Sequence, residues 1–396
     1  MNKVPLAELN ARMARFRARM DTQAPDWRLV MVLSKVNMYY LTGTMQDGLL
    51  LIPRDGKAVL WVRRSYERAL DESVFPDIRP MDSYRDAAAV FGEIPAEVWL
   101  EAETVPLAMY ARIRKYFPFD SFRALDPHIA AVRAVKSAYE LDLMRRSGEI
   151  HRRVLEETVP GMLREGVSEA EFAAELYGAL VREGHHGVAR FSMFDTDVGM
   201  GQIGFGTSSI YPTFFNGPGG NRGLNPAAPF LGSGERRLAP GDLVFVDIGC
   251  GVEGYHTDKT LTYVFKGKLP DETVTLHRRC LDIEQRIASM LVPGETPSHI
   301  YKTVLSELDA EFLKNFMGFG NRRVKFLGHG IGLHIDELPV LAEGFGEPLE
   351  CGMAFAVEPK RGVAGVGMVG VENTYLVAPG GGECITGRGP GLVPVE

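Results

Sequence analysis

Apolar residues at Leu6, Leu9, Met13, Phe16 and Met20 recur at helical spacing among arginines and an acid, which predicts an amphipathic helix packed on its own domain. The run "WRLVMVL" then has the length and continuity of a buried strand, and "GLLLIPRDGKAVLWV" reads as two strands joined at an Asp55-Gly56 turn. "EVWLE" adds another short strand before "VPLAMYARIRKYF" returns to helical spacing. Residues 1–130 are therefore expected to form a mixed α/β unit, and residues 131–396 a second unit.

The second unit opens with "AVRAVKSAYELDLMRRSGEIHRRVLEETV", where Ser137 and Glu140 have capping-box spacing for a long helix. Ser168 and Glu171 repeat the device before "FAAELYGALV". Further helices fit "TVTLHRRCLDIEQRIASML" and "SHIYKTVLSELDAEFLKNF", and strands fit "LVFVDIG", "TDKTLTYVF", "MAFAVEP" and "VGVENTYLV". Connections too short for parallel crossovers make this an α+β arrangement. The aperiodic, Gly- and Pro-rich segment from Asp195 to Gly241 is a long functional loop by expectation. Its "GMGQIG" matches a dinucleotide fingerprint at Gly199, Gly201 and Gly204, but extended chain follows where that motif needs a helix, which argues against nucleotide binding.

Composition narrows the function classes. With 45% hydrophobic and 24% charged residues the chain is of ordinary globular type. A formal charge of -7, with basic residues interspersed among acids, argues against a nucleic-acid partner, and no apolar run approaches a membrane span. The start "MNKVPLAELNARMARFRARM" has no apolar core of signal-peptide length. Cys250, Cys280, Cys351 and Cys384 are widely spaced and form no CxxC pair, as expected of reduced thiols in a cytoplasmic protein.

The candidate chemistry lies in the second unit. In "GHGIGLHIDELP", His329 is flanked by glycines that let the backbone lie close to whatever the imidazole touches. "LVFVDIGCGVEGYHTDKTLTYVF" reads as two strands around a bend near Val252, which sets Asp247 opposite Asp258 in an apolar setting. A cation between them, or a proton on one, would relieve their repulsion. Glu358 and Glu372 each end an apolar run, where an unpaired carboxylate is costly to bury, and Lys360 or Arg361 is available as a partner for Glu358. Carboxylates with one imidazole favour Mn, Fe, Co or Zn.

The order of DxG, an aspartate with a nearby TxT, GHGxG, EP and a late-strand glutamate resembles that of the pita-bread (M24) metallopeptidases. That family includes methionine aminopeptidase, aminopeptidase P and Xaa-Pro dipeptidase, with creatine amidinohydrolase as a metal-free relative. The resemblance implies a creatinase-type N-terminal domain before a pita-bread catalytic domain. It implies that Asp247, Asp258, His329, Glu358 and Glu372 hold two divalent metal ions, manganese among the candidates. Asp258 and Glu372 would bridge them, Asp247 would bind the second, His329 and Glu358 would complete the first, and Glu358 would also shuttle a proton. Hydrolysis of a short peptide of the Xaa-Pro type follows, with a non-peptidase activity on a small nitrogen-containing or related compound as the alternative and a non-catalytic binding protein as the third reading. A homodimer is compatible with this reading.

Three positions depart from the proline-directed pattern. Asp336 stands where those enzymes carry a histidine, "GLNPAAPFLGSGERRL" lacks the histidine expected before the first aspartate, and Gly370 replaces an arginine. His334 and Asp336 share a face if the chain there is extended, so both are expected to take acid/base or substrate-orienting roles. Arg222, Arg236 and Arg237 are the candidate substitutes for the missing arginine.

Overall fold

The computed structural model describes residues 2–193, 196 and 199–396 and divides into two compact units, residues 1–133 and 134–396. Asp195, where the long loop was expected to begin, lies outside the described residues.

In the N-terminal unit, helix Leu6–Gln23 buries Leu9, Phe16 and Met20 as its periodicity demands, and also Arg12, which donates to Glu8 and to the Tyr40 carbonyl. Six strands follow: β1 (Leu29–Val32), β2 (Gly48–Pro53), β3 (Val59–Val62), β4 (Ile78–Pro80), β5 (Glu97–Leu100) and β6 (Ser121–Ala124). They form one sheet in the order β4-β3-β2-β1-β5-β6, antiparallel at β1–β2 and β2–β3 and parallel elsewhere. One sheet face packs Leu29, Met31, Leu49, Leu51 and Val98 against Phe117 and Phe119.

The helices of the second unit begin where the capping boxes set them. Ser137 caps Ala138–Arg153 and Ser168 caps Glu169–Glu183, each with its glutamate returning the bond. The helix expected over "SHIYKTVLSELDAEFLKNF" is instead two, Pro297–Ser306 and Ala310–Leu313, because the Asp309 side chain accepts from Phe312 N–H and starts a new helix.

Strands β7 (Gly201–Phe205), β8 (Leu243–Val252) and β9 (Tyr255–Phe265) form an antiparallel ladder, which β19 (Val393–Val395) extends in parallel beside β9. A small hairpin, β10 (Gly318–Phe319) and β11 (Arg322–Arg323), precedes β12 (Phe326–Gly330) and β13 (Glu337–Ala342). Next come β14 (Ala354–Val357), the hairpin β15 (Lys360–Val363) and β16 (Gly367–Gly370), then β17 (Asn373–Leu376) and β18 (Glu383–Cys384). The second sheet runs β13-β12-β14-β17-β18. Its core of Leu327, Phe355, Val357 and Tyr375 meets Ile283 and Ile287 of helix Asp271–Met290. Paired bonds between Thr260 and Glu372 tie the two sheets together.

The "GMGQIG" glycines lie in β7 and the bend before it, followed by a short 3-10 turn at Gly206–Ile210, so no helix N-terminus faces a phosphate there. All four cysteines are free. No helix among the described residues is long and apolar enough to cross a membrane.

Candidate metal centre

The β8–β9 hairpin turns at Glu253 and Gly254, both with positive φ (48° and 97°). That is the two-residue turn whose twist suits a hairpin, and it shifts the register by two residues from the one that would oppose Asp247 to Asp258. Asp247 therefore pairs with Thr260, and Asp258 with Gly249. The two aspartates are diagonal neighbours on one face, not directly opposed, since residues two apart on a strand share a face. Thr260 Oγ1 lies 2.8 Å from Asp247 Oδ1 and 3.1 Å from Glu372 Oε2. Opposite Asp258, a Cβ on Gly249 would meet Ile335 Cδ1 at 2.3 Å, so the glycine admits the loop that carries Asp336.

His329 on β12 pairs with Ala356 of β14, which brings it beside Glu358, just past the end of β14. Its Nε2 is 3.7 Å from both Glu358 Oε1 and Glu372 Oε1, and its Nδ1 is 3.4 Å from Asp336 Oδ1. Lys360, fully buried at the start of β15, donates to Asp247 Oδ2 and Glu358 Oε2, each at 3.0 Å, and to Glu372 Oε2. Arg361, the other candidate partner, turns away and donates to the carbonyls of Phe312 and Glu311.

Burial pushes the Asp247 carboxyl up to about 6 against the pull of Lys360, and Glu358 up to about 8 against the same pull. Asp258 is raised well above its ordinary range by burial and by the charges of Glu372 and Asp247. For Glu372, burial alone would raise the carboxyl, but Lys360 and His329 hold it below the usual range. Burial opposes charge on Lys360 and His329 as well. It is outweighed at Lys360 by Asp247, Glu358 and Glu372, and at His329 by Asp336, Glu372 and Glu358, so both cations are held well above their ordinary values.

Asp247, Asp258, His329, Asp336, Glu358 and Glu372 all line one pocket, completed by Phe191, Phe215, Asn216, Gly217 and Ile335. Its cavity is about 20 Å³, room for roughly one water-sized occupant. His334 is not among the lining residues; its backbone N–H donates to Glu337 and its carbonyl accepts from Gly332. The loop arginines are engaged elsewhere. Arg222 stacks on Tyr211, Arg236 pairs with Asp242 and Arg237 with Glu171, so none replaces the missing arginine. Sequence reasoning missed Phe191 and the Phe215–Gly217 wall, which sit in aperiodic chain and carry no ligand atom that spacing could flag.

The residues fit a divalent cation. Asp258, His329 and Glu372 each offer a ligand atom, and these lie within 4.8 Å of one another. Glu372 Oε1 is buried without a hydrogen-bond partner, a cost that a cation would remove.

Residues 12–135 match the creatinase/prolidase N-terminal domain. An uncharacterised peptidase of Staphylococcus aureus (strain USA300) is 27% identical over 366 residues, covering 90% of this chain and 93% of the relative. The Xaa-Pro dipeptidase of Pyrococcus furiosus is 24% identical over 360 residues, covering 90% and 92%. Among solved structures, the dipeptidase PepE of Mycobacterium ulcerans superposes with a TM-score of 0.79 at 24% identity over the whole of both chains. The Xaa-Pro dipeptidase of Bacillus anthracis gives 0.79 at 22% identity, covering 98% and 99%. These likenesses show the fold, a creatinase-type N-terminal domain followed by the pita-bread domain. With residues 142–379 matching its model, the chain belongs to metallopeptidase family M24 and is a metal-dependent hydrolase of that class.

Proposed function

We propose that this chain hydrolyses short peptides of the Xaa-Pro dipeptidase or aminopeptidase P type at a centre formed by Asp247, Asp258, His329, Glu358 and Glu372. The observation that carries this reading is the convergence of those five residues, from three strands and two strand junctions, in one pocket of a family M24 chain. A bound Mn, Co, Fe or Zn ion would lower the pKa of its water and polarise the scissile carbonyl. Asp258, His329 and Glu372 would hold it, with Glu358 Oε1 also facing His329. Glu358 would carry the proton to the leaving nitrogen. Asp336 has a quarter of its side chain exposed in the same pocket and would orient a substrate amine and the His329 ring.

The proline preference rests on the likeness to named Xaa-Pro dipeptidases. Two ions, the count implied by the resemblance, require all four carboxylates to be open to metal, and the Lys360 ammonium bears on that count. A small nitrogen compound is the second substrate class, favoured by Asp336 and Gly370 standing where histidine and arginine orient peptides. The test is metal-reconstituted protein assayed on Xaa-Pro dipeptides, Xaa-Pro-Yaa tripeptides and proline-free controls. Cleavage of the proline-containing set is expected. Inertness toward every peptide with each metal would transfer the reading to the second class.

A further inference from the structure

We infer that the Lys360 ammonium stands in the place of one divalent cation, so that this centre takes a single metal ion. This rests on the metal-dependent reading above. An ammonium has three N–H donors, and here they meet three acceptors, Asp247 Oδ2, Glu358 Oε2 and Glu372 Oε2. Both glutamates are thereby divided. Each gives one oxygen to Lys360 and turns the other toward His329 Nε2, at 3.7 Å. On that side lie Asp258, His329 and Glu372 Oε1, which accepts no hydrogen bond, three ligand atoms placed together where they could hold one ion. On the other side Asp247, the residue expected to bind a second ion, is hydrogen-bonded to Lys360 and Thr260. A second ion seated against Asp247 would face the ammonium at contact distance, and like charges a few ångströms apart in a buried site repel strongly.

The lysine is fixed where it lies. It is buried beside the Phe245 ring, and its backbone pairs with Gly370 in the β15–β16 hairpin. Gly370 has φ +128°, and a Cβ there would meet Pro359 O at 2.4 Å and Lys360 Cα at 2.6 Å. The arginine expected at position 370 thus cannot be accommodated, and the positive charge enters from position 360 across the same backbone pair.

The test is metal stoichiometry, read without any assay of turnover. Metal-stripped wild type and Lys360→Ala are titrated with Mn²⁺ by calorimetry, followed by elemental analysis and electron paramagnetic resonance. Wild type is expected to bind one ion per chain with the spectrum of an isolated Mn²⁺, and Lys360→Ala two ions with an exchange-coupled spectrum. Two coupled ions in wild type would overturn the inference and leave the metal-dependent reading standing, even if the variant did not fold. One ion in both proteins would also overturn it, because the ammonium would not be what excludes the second. No binding of Mn²⁺ by either protein, nor of Co, Fe or Zn titrated in the same way, would remove the metal-dependent reading itself.

Discussion

Two lysines of the catalytic domain, Lys259 and Lys360, have fully buried side chains, yet their surroundings push them in opposite directions. Lys259 donates to Asn373 Oδ1 at 2.7 Å and the Gly387 carbonyl at 2.9 Å, with one partly exposed carboxylate, Glu156, at 3.3 Å. Burial wins there, and the ammonium is held below its ordinary value despite Glu156. Around Lys360, three carboxylates, two of them buried, outweigh burial. Neutral acceptors satisfy an ammonium's hydrogen bonds without offsetting the desolvation of its charge, whereas carboxylates do both. The contrast separates a lysine that braces a fold from one that completes a charge cluster.

The largest expected effect comes from breaking the cluster on the side away from Lys360. Asp258→Asn should reduce peptide hydrolysis to background while circular dichroism stays native; surviving turnover would show that Asp258 is not a ligand. The two lysines can then be compared directly by urea unfolding of metal-free protein. Lys360→Ala leaves three clustered acids without their cation and should lose about 3–5 kcal/mol, recovered in large part on adding Mn²⁺. Lys259→Ala leaves mainly neutral acceptors unpaired and should lose about 1–3 kcal/mol whatever the metal. Equal losses with equal metal response would dissolve the distinction.

Substrate contacts should respond less. Asp336→His is expected to improve Xaa-Pro cleavage and to relax discrimination against anionic substrates, measured as kcat/KM on matched peptides. His334→Ala should fall well short of the roughly 100 to 10,000-fold loss that follows removal of a positioned proton donor, since His334 does not line the pocket. A loss in that range would place His334 in the chemistry.

The smallest effect concerns His277, whose imidazole burial pushes down to about 4 and whose Nδ1 accepts from Gly370 N–H behind Lys360. Its unfolded value is near 6.5, so the unfolded chain binds the proton first. The His277 contribution is whole above pH 6.5 and is lost as pH falls toward 4. In His277→Gln the slope of stability against pH should flatten in that window. An unchanged slope would mean that His277 does not contribute to acid sensitivity.

Asp247, His329, Glu358 and Glu372 were legible as candidates because each is a local contradiction, a charge where an apolar strand run ends or a histidine between glycines, whereas Asp258 was picked out by a direct facing with Asp247 that the register does not have. The two capping boxes were legible for a similar reason, since both partners lie within one turn. The β8–β9 register was not, because Glu253-Gly254 lacks the Asn-Gly or Asp-Gly signature of its turn. Lys360 was legible only as one of two partners for Glu358. Its grip on three carboxylates depends on the Lys360 side chain reaching β8 from the start of β15 and on Glu372 arriving just before β17, and no spacing along the chain records that.

Gly249 shows how selectivity is inherited here. Because any side chain at that position meets Ile335, the loop bearing Asp336 is seated against bare β8 backbone. Directed evolution would therefore find position 249 a remote dial: Gly249→Ala would push the Ile335 side chain that lines the pocket and shift substrate preference without altering a group that binds metal. Selection for a new substrate would reach the pocket through a strand backbone that no ligand contacts.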